Sequence, residues 1–277
     1  MFLDDRPRGW CRKCQYLWWP DGEARKLTRE EQLRHKEAEE RELQRRKVEI
    51  ETRLQEIRED KAWLRWHMQM DEWGRQQWYN RGLPDEFQDF WKLGLNPHYT
   101  AGEIDTPSLT IPCFDPNWNT TQIYHRLLNT PPEGGKYRQT WGLEPALFIA
   151  DPDYFLNEQV IVVEGQIKAQ HVFKALLDHA LDKMQSVEHN GINVVAIPSN
   201  QPNASIFKPI QNAKRAYIIL DPDSQDEPKH RLADILKMTG VPEVYAIDLY
   251  DKVDDMILRL GLGALWVAGR MRRAVKL

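Results

Sequence analysis

The sequence is 277 residues long, 41% hydrophobic and 29% charged, with a net charge of −4 and a mean hydropathy of −0.67. That length allows one large domain or two smaller ones. The acidic balance excludes a globally basic nucleic-acid binder but leaves room for a local basic groove, because 38 Lys+Arg stand against 42 Asp+Glu. No run reaches the roughly 18 apolar residues of a membrane span, and MFLDDRPRGW lacks the layout of a secretory signal. Three cysteines are too few for a disulfide scaffold. The expectation is a soluble, cytoplasmic protein with no membrane partner.

In chain order, residues 1–23 hold GWCRKCQYLWWPDG, an aromatic turn region around the pair Cys11 and Cys14. Residues 24–70 form a long charged helix or linker. From Leu27 to about Met70 there is no Gly or Pro, and Glu, Arg, Lys and Gln dominate. Thr28 and Glu31 have the spacing of a capping box. Leu43, Ile50, Ile57 and Leu64, with Leu54 between them, make a thin apolar seam. Such a seam suits a solvated spacer helix or one strand of a coiled coil.

Residues 71–157 read as a small mixed α+β subdomain. Its first part predicts short helices with an aromatic face of Trp73, Trp78, Tyr79, Phe87, Phe90 and Trp91, interrupted at Gly82–Pro84. Bunched aromatics of this kind predict core rather than a base-stacking platform. Beyond residue 100, Pro, Asn, Thr and Gly punctuate the β-like runs SLTIPCF, TQIYHRLL and ALFIA.

Residues 158–277 are more regular. The apolar runs QVIVVEG, NVVAIPS, AYIILDPD and EVYAIDL alternate with the helical segments IKAQHVFKALLDHAL, HRLADILKMTG and DDMILRLG. That alternation predicts an α/β domain, a Rossmann-like parallel sheet with flanking helices. In such sheets ligands bind beyond the carboxyl ends of the strands. Acidic residues fall at those ends: Glu164 after the first run, Asp221 and Asp223 after the third, Asp254 and Asp255 after the fourth. Carboxylates gathered there repel one another unless a cation lies between them, and hard oxygen donors suit Mg²⁺ or Mn²⁺. Taken singly, each acid also fits a turn or a helix cap.

VVEGQIKA followed by AYIILDPD resembles the Toprim domain, with its Glu-Gly turn after one strand and Asp-x-Asp after a later one. That resemblance implies Glu164, Asp221 and Asp223 as metal-binding carboxylates, Glu164 as the acid/base group, and Asp254 and Asp255 as secondary ligands in a K-x-D-D segment. Lys168 departs from the pattern, because many primases carry an acid there. It has the spacing to pair with Glu164, or it could meet a phosphate. Upstream, NRGLPDEFQDFWKLG, LTIPCFD, IYHRLLN and GGKYRQTWG resemble the N-terminal half of a DnaG-like or phage-type primase polymerase core. This implies that Arg126 and Lys136, and more weakly Tyr137 and Arg138, face template or nucleotide. GWCRKC resembles the second half of the zinc ribbon that precedes such cores. Cys11 and Cys14 are then half of a Zn²⁺ site that the rest of the sequence does not complete.

The resemblance implies a Toprim-type DNA primase of phage or bacterial-mobile-element character. Its partners would be a single-stranded DNA template and ribonucleoside triphosphates, with a replicative helicase left open. A Toprim-type metal-dependent nuclease and a non-catalytic DNA-binding replication accessory protein are the alternatives. No G-x-x-x-x-G-K-[ST] loop occurs, so no P-loop ATPase is expected in these residues.

Overall fold

The computed structural model describes residues 9–10, 16–18, 24–26, 28–101, 104–129, 135–153, 158–182, 192–199, 202–223 and 226–277. Cys11 and Cys14 lie outside them. The chain divides into two compact units, Met1–Arg53 and Leu54–Leu277. The first holds three short antiparallel strands, β1 (Gly9–Trp10), β2 (Tyr16–Trp18) and β3 (Ala24–Lys26), and most of helix α1 (Arg29–Asp60). The capping box at its start is present: Thr28 N donates to Glu31 Oε2 at 2.9 Å, and Glu31 N to Thr28 Oγ1 at 3.3 Å. Along the helix, exposed pairs such as Lys36–Glu40 and Arg45–Glu49 link successive turns. Leu43 is exposed, whereas Ile57 is buried with Ile123 and Leu143 and flanked by Leu54. The apolar seam is therefore used at its C-terminal end.

The helix expected to reach Met70 stops at Asp60. Lys61 takes φ +47°, and α2 (Ala62–Met68) starts along a new direction. The break turns Trp63 and Trp66 onto a sheet, where Trp63 meets Phe114 at 5.0 Å between ring centroids and Trp66 meets His125 at 5.5 Å. Packing two partly buried indoles against the sheet outweighs continuing the charged helix in a straight line. Arg65 clamps the corner with bonds of 2.7 and 3.0 Å to the Asp60 carboxylate.

Helices α3 (Glu72–Tyr79) and α4 (Asp85–Phe90) follow, then an antiparallel sheet of β4 (Gly94–Ala101), β5 (Ile104–Phe114), β6 (Thr120–Leu127) and β7 (Tyr137–Gln139), in that spatial order. The aromatic face of the two helices is largely core. Trp78, Phe87 and Trp91 are buried, while Trp73 and Tyr79 are exposed. Trp91 stacks on Phe87, meets Phe148 and Phe173 edge-on, and donates Nε1–H to Ala150 O at 2.8 Å. It thereby ties α4 to the larger sheet that follows.

That sheet comprises β8 (Phe148–Ile149), β9 (Gln159–Glu164), β10 (Ile192–Ile197), β11 (Arg215–Ile219), β12 (Glu243–Ala246) and β13 (Val275–Lys276), in the order β13-β12-β11-β9-β10-β8. Strands β9 to β12 are parallel, and the two-residue strands β8 and β13 close the edges antiparallel. Helices α5 (Gln166–Asp182), α7 (Val253–Leu260) and α8 (Ala264–Arg272) contribute to the core on one face, with Ile161, Val163, Tyr217 and Ile219. Helix α6 (Asp226–Thr239) and the 3₁₀ turn Ala204–Ile210 cover the other, with Val160, Val162, Ala216 and Ile218. Coverage on both faces explains why β9 is an unbroken apolar run rather than an alternating one. Chain order reverses between β9 and β11, which makes their carboxyl ends the switch point of the sheet.

Two core histidines give the fold a predictable acid response. His125 lies 3.0 Å from Ser108 Oγ and His171 sits on α5; both are buried. Burial, aided at His171 by the Lys174 charge, holds each imidazole down to about 4. The unfolded chain takes up protons near pH 6.5, which the folded chain refuses until about 4. Their contribution is whole above pH 6.5 and is lost as pH falls through that window, at up to about 1.4 kcal/mol per pH unit per histidine. Urea unfolding at pH 7, 6 and 5 should show this decline, and His125→Asn should reduce its slope. An unchanged slope in the variant would exclude His125 as a source.

Candidate active site

The carboxyl ends of β9 and β11 build the site. Val163 pairs with Ile219 in register, so Glu164, at the end of β9, stands beside Leu220 and Asp221. Gly165 turns the chain out of the strand at φ +91°, a conformation suited to glycine, and α5 begins at the next residue. The short turn puts Lys168 in the first turn of α5, directed back over the strand ends.

Lys168 makes an ion pair with Asp221 Oδ1, and both side chains are largely buried. Lys252 approaches the other oxygen of Asp221 at 3.8 Å. The i, i+4 spacing of Glu164 and Lys168 suggested a pair between those two. The carboxylate that Lys168 reaches is instead the one across the strand gap.

Glu164 is half-buried, and its Oε2 has no hydrogen-bond partner. Burial pushes its carboxyl above the usual range. The Asp221 charge, and more weakly that of Asp223, adds to this, while Lys168 opposes it. Asp254, in the first turn of α7, has the same signature. Its Oδ1 is buried and unpartnered, and burial raises its carboxyl against the pull of Lys168. Asp223 and Asp255 are exposed.

These strand ends open on a cavity of about 680 Å³. Glu164, Lys168 and Asp254 line it from the parallel sheet and its helices, and Arg126, Tyr137 and Arg138 from β6 and β7. Arg126 is the register partner of Tyr137, and its guanidinium lies 5.8 Å from the Tyr137 ring centroid. That cation–π contact holds the guanidinium at the wall. Lys136 is exposed and is not among the cavity-lining residues; its backbone carbonyl accepts from Leu127 N at 2.8 Å. Asp221, Asp223 and Asp255 do not line the cavity either.

Sequence reasoning passed over Asn80, Arg81, Gln166 and His171, which also line the cavity. The Arg81 Nε, Gln166 Nε2 and His171 Nδ1 atoms are buried without partners. Arg81 had a legible signal, since it directly precedes Gly82. At φ +73°, Gly82 closes α3 against α7, where a Cβ would stand 2.3 Å from Leu258 Cδ2. The turn that brings α3 onto α7 therefore brings Arg81 to the carboxylates.

Hard carboxylate donors with unpartnered oxygens at Glu164 and Asp254 fit Mg²⁺ or Mn²⁺ in chemistry. Among the described residues, however, no three acidic, histidine or cysteine side chains converge into a ready metal cage. Also among those residues, no helix is long and apolar enough to cross a membrane.

No protein-family model matches this chain, and no curated protein does so in sequence. Solved structures match in fold. The zinc-binding and RNA polymerase domains of Aquifex aeolicus primase superpose with a TM-score of 0.57 at 16% identity, over 75% of this chain. This chain spans 57% of that structure's own length. A DnaG primase catalytic domain bound to single-stranded DNA gives 0.57 at 14% identity, covering 84% of this chain and 83% of the other. The RNA polymerase domain of Mycobacterium tuberculosis primase DnaG, in complex with double-stranded DNA, gives 0.56 at 14% identity and 81% coverage of each. The chain is thus similar in fold to the catalytic core of DnaG-type primases, which its segments upstream of residue 158 resemble, as its Glu-Gly and Asp-x-Asp segments resemble the Toprim domain.

Proposed function

We propose that this chain is a DNA primase that joins ribonucleoside triphosphates into short RNA primers on a single-stranded DNA template. The observation that carries the reading is one cavity with two kinds of wall: carboxylates Glu164 and Asp254 on one side, guanidiniums Arg81, Arg126 and Arg138 on the other. Nucleotidyl transfer needs that division, because cations must neutralise the triphosphate while carboxylates manage the metal and the proton. The volume suits a nucleotide-sized ligand. In this reading residues 158–277 act as the Toprim domain and residues 71–157 as the primase subdomain that supplies the arginines.

Glu164, Asp221 and Asp223 would hold Mg²⁺ or Mn²⁺, with Asp254 and Asp255 as further carboxylates. When bound, the ion supplies Lewis-acid activation of the 3′-hydroxyl and screening of the phosphates. Glu164, whose carboxyl burial raises above its ordinary value, is suited to exchange a proton with that hydroxyl. Arg126, braced on Tyr137, and Arg81, with a free buried Nε, bind and orient the triphosphate. Gln166 and Asn80 offer amide groups to the nucleotide beyond the phosphates.

The test is incubation with single-stranded DNA, the four ribonucleotides and Mg²⁺ or Mn²⁺. Short RNA products are expected. A shortened template without RNA products would assign a nuclease instead. Unchanged template and no product would leave DNA binding without chemistry.

A further inference from the structure

We infer that Lys168 is a resident cation of the carboxylate cluster, occupying one cation position so that the site takes a single divalent ion. The inference rests on the reading of that cluster as a divalent-ion site, and it concerns what this chain's own lysine does there.

Glu164, Asp221, Asp223, Asp254 and Asp255 bring five negative side chains to the ends of β9 and β11 and the start of α7. Carboxylates so gathered need positive charge among them. Sites that transfer phosphoryl and nucleotidyl groups commonly supply it as two divalent ions about 4 Å apart. Here part of it is covalently attached. The Lys168 ammonium sits on Asp221 Oδ1, with side-chain exposures of only 16% and 18% for the two partners. It is also the strongest opposing charge felt by both Glu164 and Asp254. One ammonium, in contact with Asp221, therefore also offsets the charge of carboxylates on two further elements, β9 and α7.

Lys252 lies 3.8 Å from the second oxygen of Asp221. Asp221 thus has a lysine near each oxygen, which leaves it able to help hold one divalent ion but not to bridge two. The unpartnered oxygens are elsewhere, Oε2 of Glu164 and Oδ1 of Asp254. Those two unpartnered oxygens, with Asp221 and Asp223, are the donors this reading assigns to one ion. A tethered ammonium cannot dissociate, so the cluster stays together without metal, and a second divalent ion meets a like charge where it would bind.

Mn²⁺ titration of the full chain, followed by the loss of the free-ion electron paramagnetic resonance signal, tests this. The wild type is expected to bind one Mn²⁺. Lys168→Met should either bind a second ion or hold the first at least about ten-fold more tightly, because a like charge a few ångströms away has been removed. Lys168→Arg should behave as the wild type. In EDTA the Lys168→Met protein should melt below the wild type, and Mn²⁺ should restore it. Two ions in the wild type, or a Lys168→Met protein matching it in number and affinity, overturns the inference; if primer synthesis persists in such a protein, the functional reading survives. Absence of Mn²⁺ binding in every form overturns both. Should Lys168→Met fail to fold, the wild-type stoichiometry decides alone.

Discussion

Replacing Asp221 and Asp223 together by alanine is expected to reduce primer synthesis by at least about 10³-fold, since removing even one preorganised electrostatic group from a reacting site commonly costs about 10²–10³. Asp221 stands directly beside the end of β9, where Glu164 is held. Its loss also frees the Lys168 ammonium, which then falls on Glu164 and Asp254. The double variant therefore disturbs the charge balance at every carboxylate of the cluster. Asp223 is exposed and Asp221 follows the end of β11 rather than forming part of its ladder, so the fold should survive with some loss of stability from the broken Lys168 pair. Circular dichroism matching the wild type, beside lost RNA product, is the expected pair of results. Full primer synthesis in the variant would remove these residues from the chemistry.

The largest stability effect should come from Trp91→Ala. Trp91 is 2% exposed, packs on Phe87, Phe148 and Phe173, and donates to Ala150 O. Truncation would leave a cavity between α4 and the six-stranded sheet and an unmet backbone carbonyl. Losses of about 3–5 kcal/mol are typical for a buried aromatic, which for a chain of this size lowers Tm by roughly 10 °C. Trp91→Phe keeps most of the ring contacts and should lose less than half as much. Differential scanning calorimetry separates the two, and equal losses in both variants would point to the hydrogen bond rather than the packing.

The parallel sheet was legible because its strands are buried on both faces. That burial forces continuous apolar runs such as Val160–Val163, and each run ended at an acid or a turn. The capping box at Thr28 was legible because it is local, with both partners within one helical turn. The helix break at Lys61 was not. No Gly or Pro marks it, and its cause is the docking of Trp63 and Trp66 on residues far along the chain. The carboxylates could be read as belonging to one edge. The partner of Lys168 could not, since helical spacing pointed to Glu164 while strand register brought Asp221 closer. Lys136 shows the converse limit, a cation beside the right segment whose side chain is exposed and absent from the cavity wall. Arg81 was hidden because its placement depends on a glycine turn closing against α7.

The two-residue strands β8 and β13 have a consequence for assembly. A parallel sheet whose outer strands were left open would offer a template for strand addition by another chain. Both borders here are already paired, each by a segment too short to present a long ladder of its own. Among the described residues, this sheet therefore presents only two-residue outer edges to a strand from another chain.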